Sequence, residues 1–194
     1  IADAAVCGGV IVSARDAASG DPAFYFVASD APGLHWQHVR GVDGRSLADL
    51  RLSDAVADYL CSGERAALAA AWDTLLSTAE AIGLMRCANR DTVDYLRERR
   101  QFGRSLLEFQ ALQHRAAHLF TELELARAAV LAALQALDAG RAEAPLMVAV
   151  AKAKAGRAAE LAVQEAVQMH GGVGMTDEFD VGLYMKRVRV LNEL

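Results

Sequence analysis

The sequence predicts an α+β chain: an antiparallel β region over residues 1–60, then an up-down four-helix bundle over residues 61–194. Two changes along the chain predict it. Apolar residues alternate at a spacing of two between turn clusters in the first region. From Gly63 onward they recur at spacings of three and four. A third observation agrees: the chain has 3 prolines, and Pro145 alone of them lies beyond residue 32, so the helical region carries few breakers.

The β region reads in order as short strands between turns. Val6 to Val12 is apolar and β-branched. Phe24 to Val27 follows a turn at Gly20 to Pro22. Leu34 to Val39 alternates after Pro32-Gly33, and Leu47 to Leu52 alternates after Asp43-Gly44. In the first helix Leu68, Trp72, Leu75, Ala79 and Ile82 form the apolar stripe. In the second, the stripe runs through Phe109, Leu112, Ala116, Leu119, Leu123, Ala126, Val130, Ala133 and Leu137, and Gly140 ends it. Pro145 opens a third, alanine-dense helix that extends to His170, where Gly171-Gly172 stops it. Thr176 is expected to open a fourth helix, with Asp177 and Glu178 favourable to its dipole. Long helices with short connections make an up-down bundle.

Composition excludes several classes of function. The net charge of −5 gives no electrostatic reason for nucleic acid or anionic membrane as a partner. Charges such as Arg127 and Asp138 interrupt the apolar runs, so no membrane span is expected. Cys7, Cys61 and Cys87 show neither CxxC nor Cys/His metal spacing, which reads as reduced thiols in a cytoplasmic protein and no metal site. Ile1 opens the sequence without a signal-peptide pattern. Leu183 to Leu194 is helical in pattern and reaches the end without a stop signal. Both ends read as cuts in a longer polypeptide.

Two stretches carry candidate chemistry. The first is Tyr95-Leu-Arg-Glu-Arg-Arg-Gln-Phe-Gly-Arg-Ser-Leu-Leu-Glu-Phe-Gln110. Its arginines, Arg97, Arg99, Arg100 and Arg104, cluster at the expected end of the first helix. Two readings stay open there. Cations suit a helix C-terminus, and guanidinium also grips pyrophosphate through paired hydrogen bonds. Gln101 adds a neutral donor, and Phe102 a flat aromatic face. The second stretch is Gln168-Met-His-Gly-Gly-Val-Gly-Met175. A glycine pair after a helix is an ordinary terminator, yet bare glycines also let a dinucleotide approach the backbone. The stretch is not a Rossmann fingerprint, because it follows a helix and lacks the GxGxxG order. His170 reads as solvent-facing or packed rather than as a base.

Together and in this order, the two stretches resemble the signatures of the acyl-CoA dehydrogenase family, flavoenzymes that oxidise the α,β-bond of acyl-CoA thioesters. The resemblance covers nearly the whole chain. It implies the end of a β-barrel-like middle domain, then the C-terminal four-helix bundle, assembled as a dimer of dimers. It implies FAD as cofactor, reached by Arg99, Gln101 and Phe102 of the Arg-x-Gln-Phe-Gly motif, by Gln110 near the adenine, and by Gln168, Gly171 and Gly172. In the family these groups serve the FAD of a neighbouring subunit. It implies an acyl-CoA substrate and an electron-transfer flavoprotein as partner. Gly41 to Leu52 resembles members acting on bulky acyl-CoAs, including steroid side chains; several of those are mixed tetramers.

The catalytic base needs a carboxylate that takes the α-proton. The usual family glutamate aligns immediately past Leu194, so Glu193 is not a substitute. Some members place the base on the first helix, ten residues before the glycine that here is Gly83. That position is Asp73, beside Trp72, where a half-buried carboxylate is expected; a solvated helix aspartate is the alternative. Thr74 stands where many members have an arginine that helps hold CoA. A flavin oxidase or monooxygenase of the same fold, and a non-catalytic subunit of a mixed assembly, remain alternatives.

Overall fold

A computed structural model describes residues 5–193. Ile1 to Ala4, the start of the expected β region, and Leu194 lie outside the described residues. The chain divides into two compact units, residues 1–72 and 73–194.

The first unit holds two antiparallel sheets. β1 (Gly9–Arg15), β2 (Pro22–Ala28) and β5 (Asp58–Ser62) form one, in the order β1-β2-β5. β3 (Leu34–Arg40) and β4 (Ser46–Leu52) form the other. β1 starts later than the sequence pattern suggests. Val6 lies in a turn and is exposed, because pairing with β2 begins at Gly9 opposite Ala28. The β1–β2 connection is set by Asp16, whose Oδ1 accepts from the backbone of Ala18 and Ser19, each at 2.9 Å. β5 carries no clean alternation and is missed by the sequence pattern. It pairs with the inner strand β2 through a register shift at Phe24/Tyr25.

Helices follow without a long linker. α1 (Gly63–Glu98) has 36 residues, a length of roughly 54 Å. Its buried face beyond Trp72 is Leu75, Thr78, Ala81, Ile82, Met85, Ala88, Thr92 and Leu96. The expected stripe is therefore half met: Leu75 and Ile82 are buried, Leu68 and Ala79 are exposed. α2 (Gln110–Asp138) buries Leu119, Leu123, Ala126, Val130, Ala133 and Ala136. It ends in a Schellman arrangement: Arg141 N donates to Ala136 O, Gly140 N donates to Leu137 O, and Gly140 has φ 62°. α3 (Ala144–His170) has proline in its first turn.

Alanines at 151, 155, 158, 159, 162 and 166 make α3 thin on its buried side. Small side chains let α2 and α3 approach closely, and Lys154 reaches Glu122 across them at 2.6 Å. α4 (Val181–Glu193) starts later than expected. Thr176 is not its first cap: the Thr176 hydroxyl donates to Val173 O at 2.7 Å, and the helix proper opens with Leu183 and Tyr184 donating to Asp180 O. α4 is tied to α1 by a paired contact of Arg187 with Glu80, at 2.6 and 2.8 Å, and by Tyr184 donating to Asp91 at 2.9 Å. Among the described residues no helix is long and apolar enough to cross a membrane, and no cluster of metal-ligating side chains occurs.

Candidate functional site

The arginine stretch is mostly not helical. Of its four arginines, Arg97 lies in the last turn of α1 and pairs with Asp94 at 2.7 Å. Beyond Glu98 the chain makes a tight hairpin of β6 (Arg100–Gln101) and β7 (Arg104–Ser105). The expectation of a cationic helix end thus holds for Arg97 alone; the hairpin carries Arg100 and Arg104, and Arg99 leads into it. The turn residues Phe102 and Gly103 both have positive φ, 55° and 80°. That is the two-residue turn whose twist suits a hairpin, a turn that normally takes Asn-Gly. A phenylalanine in this conformation costs on the order of 1–2 kcal/mol. Burial does not offset the cost, since Phe102 is 88% exposed.

The hairpin is held firmly from below. Arg99 N donates to Tyr95 O at 2.8 Å, and Leu106 N to Arg99 O at 2.9 Å. Ser105 and Glu108 form a capping box for a short 3₁₀ turn at Leu106–Glu108. The Ser105 hydroxyl also lies 2.9 Å from Leu96 O and 3.0 Å from Arg97 O, so it covers the open carbonyls of α1. The Arg104 guanidinium sits 4.0 Å over the Phe109 ring, whose edge meets Phe102 at 6.2 Å. Among the described residues, Arg99 and Arg100 have no ion-pair partner and are exposed.

The glycine stretch is the end of α3. Gly171 has φ 70°, a conformation that favours glycine. A 3₁₀ turn over Gly171–Met175 folds the chain back. Gly174 is needed for that return: a Cβ there would come within 2.9 Å of Val167 O and of the His170 Cβ. Gly172 is different. Nothing lies within 4 Å of a Cβ at that position, so the chain itself does not require a glycine there.

His170 is buried, in agreement with the packed reading. Its Nδ1 donates to Ala166 O at 2.7 Å. Its ring stacks on Tyr95 with centroids 4.3 Å apart, and Phe179 meets it edge-on at 5.1 Å. The Tyr95 hydroxyl donates to His170 O at 3.2 Å. This contact brings the ends of α1 and α3 together. The start of α2 is at the same end, because a short hairpin joins it to α1. Arg99, Gln101, Phe102, Gln110, Gln168, Gly171 and Gly172 therefore gather at one end of the helical unit, and all seven are exposed. Tyr95 and Phe179 were not legible as site residues, because their contact joins positions far apart in the sequence.

Asp73 is elsewhere. It lies 22 positions before Tyr95 on α1, roughly 33 Å along the helix. It is exposed rather than half-buried. The reason is its side of the helix: it falls opposite the Leu75, Thr78 and Ile82 face. Its backbone oxygen accepts from Ser77 at 3.1 Å.

The helical unit thus has four helices in chain order, with an arginine hairpin and a glycine corner at one end. Residues 63–194 match the family model for the acyl-CoA dehydrogenase C-terminal domain, and the chain belongs to that family. It is similar to acyl-CoA dehydrogenase IpdE2 of Mycobacterium tuberculosis, 39% identical over 137 residues, covering 71% of this chain and 40% of that protein. The IpdE2 of Mycolicibacterium smegmatis is 34% identical over 193 residues, covering 96% of this chain and 59% of that one. Among solved structures, the ChsE4-ChsE5 complex of M. tuberculosis superposes with a TM-score of 0.89 at 25% identity, over 98% of this chain and 52% of that one. The chain thus spans roughly half the length of the relatives it matches.

Proposed function

We propose that this chain supplies the FAD-clasping bundle of an acyl-CoA dehydrogenase that introduces an α,β-double bond into an acyl-CoA thioester. The observation that carries the reading is Phe102, a large aromatic held in a costly conformation and exposed, on the hairpin that Arg99 leads into. Its edge contact with Phe109 leaves the ring largely exposed, and strain of this kind collects where a chain must meet a ligand. The residues fit the group. Arg99 offers paired donors to a pyrophosphate, Gln101, Gln110 and Gln168 offer neutral hydrogen bonds, and Gly172 leaves open approach to the backbone. Bound flavin supplies the hydride acceptor in this chemistry.

The separation of Asp73 from the corner, roughly 33 Å along one helix, supports a further point. The corner serves an FAD held mainly by a neighbouring subunit, in a homo- or hetero-tetramer. The base is then either a carboxylate elsewhere in the assembly or Asp73 covered by another subunit. The exposure of Asp73 favours the first, and it equally supports a second reading, in which this chain is the non-catalytic partner of a mixed assembly. A cytoplasmic location and an electron-transfer flavoprotein as oxidant complete the proposal. The likeness to the Tcur3481-Tcur3483 steroid ACAD, with a TM-score of 0.89 at 28% identity over 95% of this chain and 50% of that one, supports a bulky acyl-CoA, of the steroid side-chain class, as substrate.

The test is anaerobic addition of short, branched and steroidal acyl-CoAs to the full-length protein, followed by its visible spectrum. Bleaching of the flavin by the bulky thioesters is expected. A full-length protein purified without flavin, and unable to take it up, would overturn the reading.

A further inference from the structure

Tyr95 is bonded to both motifs at once. Its backbone oxygen accepts from Arg99 N at 2.8 Å, at the entry to the hairpin. Its hydroxyl donates to His170 O at 3.2 Å, at the entry to the glycine corner. That carbonyl shares a rigid peptide plane with Gly171 N, so holding it also fixes how Gly171 departs from α3 at φ 70°. The ring is held as firmly as the hydroxyl. It stacks on His170 at 4.3 Å and 20°, and Phe179 closes its edge at 5.3 Å. His170 is 3% exposed, and its Nε2 is buried with no hydrogen-bond partner among the described residues.

We infer that Tyr95 is a positioning residue: it sets the spacing between the Arg99 hairpin and the Gly171-Gly172 corner so that both meet one dinucleotide. The inference rests on the FAD reading above. Both motifs sit on exposed turns at the ends of different helices, α1 and α3, so their spacing depends on how those two ends are tied. A ligand that must bridge them binds more weakly when that spacing has to be found during binding. Tyr95 removes the search.

The experiment compares Tyr95→Phe, Arg99→Gln and Gly172→Ala in the full-length protein. FAD affinity of each flavin-free form is read by titration, alongside its melting temperature. Tyr95→Phe keeps the stack and removes the hydroxyl. Its FAD Kd is expected to rise about three- to tenfold, the scale of one lost hydrogen bond. Arg99→Gln should then cost less in the Tyr95→Phe background than in the wild type, because the guanidinium is no longer held in place. A purely structural tyrosine would lower the melting temperature without that coupling. Unchanged Kd in Tyr95→Phe, with Arg99→Gln and Gly172→Ala both weakened, overturns the role of Tyr95 and leaves the FAD reading standing. Unchanged Kd in all three overturns the FAD reading itself. Should Tyr95→Phe not fold, a fluorinated tyrosine at 95 retains the ring and strengthens the donor. FAD affinity must then shift, and an unchanged value overturns the inference.

Discussion

Two hairpin turns in this chain use positive φ with opposite chemistry, one across five residues between Arg40 and Ser46 and one across two between Gln101 and Arg104. In the β3–β4 turn, Gly44 takes the positive φ of 82°, and the Asp43 carboxylate accepts from Arg45 N at 3.2 Å. Each residue there suits its backbone, and the turn needs no explanation beyond connecting two strands. In the β6–β7 turn, Gly103 suits its φ of 80°, but Phe102 stands at 55° where asparagine or glycine is the ordinary choice. The first turn is explained by folding alone. The second departs from local rules at one position, and that position presents its ring to solvent. Such departures mark where a sequence answers to something besides its own stability.

The comparison breaks most severely at Arg99. Replacing it by Gln in the full-length protein should weaken FAD binding by about 10- to 100-fold, as loss of charge-assisted hydrogen bonds does. Arg97→Gln, which loses a surface pair with Asp94, should change stability by no more than about 0.5 kcal/mol and leave FAD affinity as it is. Equilibrium titration of the two variants side by side checks this. Equal effects would return Arg99 to the status of a helix-end cation.

The glycine corner offers an internal control. Gly174→Ala puts a methyl 2.9 Å from Val167 O, which must move, and should cost roughly 1–3 kcal/mol of stability. Gly172→Ala meets nothing in its own chain, so denaturant unfolding should show a change below about 1 kcal/mol. FAD affinity should nevertheless fall. A Gly172→Ala protein that folds and binds flavin normally would leave the corner a plain helix terminator.

Phe102 sharpens the contrast in the other direction. Phe102→Asn relieves the strain at φ 55° and should stabilise the flavin-free protein by about 1 kcal/mol. The same change should weaken FAD binding. Gly44→Ala, in the β3–β4 turn, should lose stability by a similar amount with no effect on flavin. Thermal melts with and without FAD separate these outcomes. A Phe102→Asn protein that is less stable without flavin would show that the ring serves the fold.

Much of this was legible in the sequence. The change from period two to period 3.6, the apolar stripe of α2, Gly140 and Pro145 all report local backbone and burial physics. What escaped depended on partners distant in sequence. β5 is a strand because β2 accepts it, not because Asp58 to Ser62 alternates. The start of α4 moved to Val181 because the 3₁₀ turn after Gly171 consumes Thr176 in its own hydrogen bond. Asp73 was placed by its neighbour Trp72, whereas its exposure follows from the far side of the helix. In the site, Arg99 and the glycines stood out by type and spacing. Tyr95 did not, since its meaning lies in a contact 75 positions away.

The smallest expected effect falls outside both turns, where α1 meets α4. Burial, then the hydrogen bond to Asp91, pushes the Tyr184 phenol up to about 12 from its ordinary value of 10.0. A raised folded-state value means the native protein keeps a proton that the unfolded chain releases. The stability this contributes is fully present below pH 10 and is lost as pH rises through about 12. Tyr184→Phe should therefore cost about 1 kcal/mol at neutral pH and make the alkaline fall in stability shallower. FAD affinity should be untouched, since Tyr184 grips Asp91 and neither motif. Denaturant unfolding of the two proteins from pH 8 upward reads the difference. An identical slope would mean that the phenol is not held by Asp91, and the α1–α4 contact would then rest on Arg187 and Glu80.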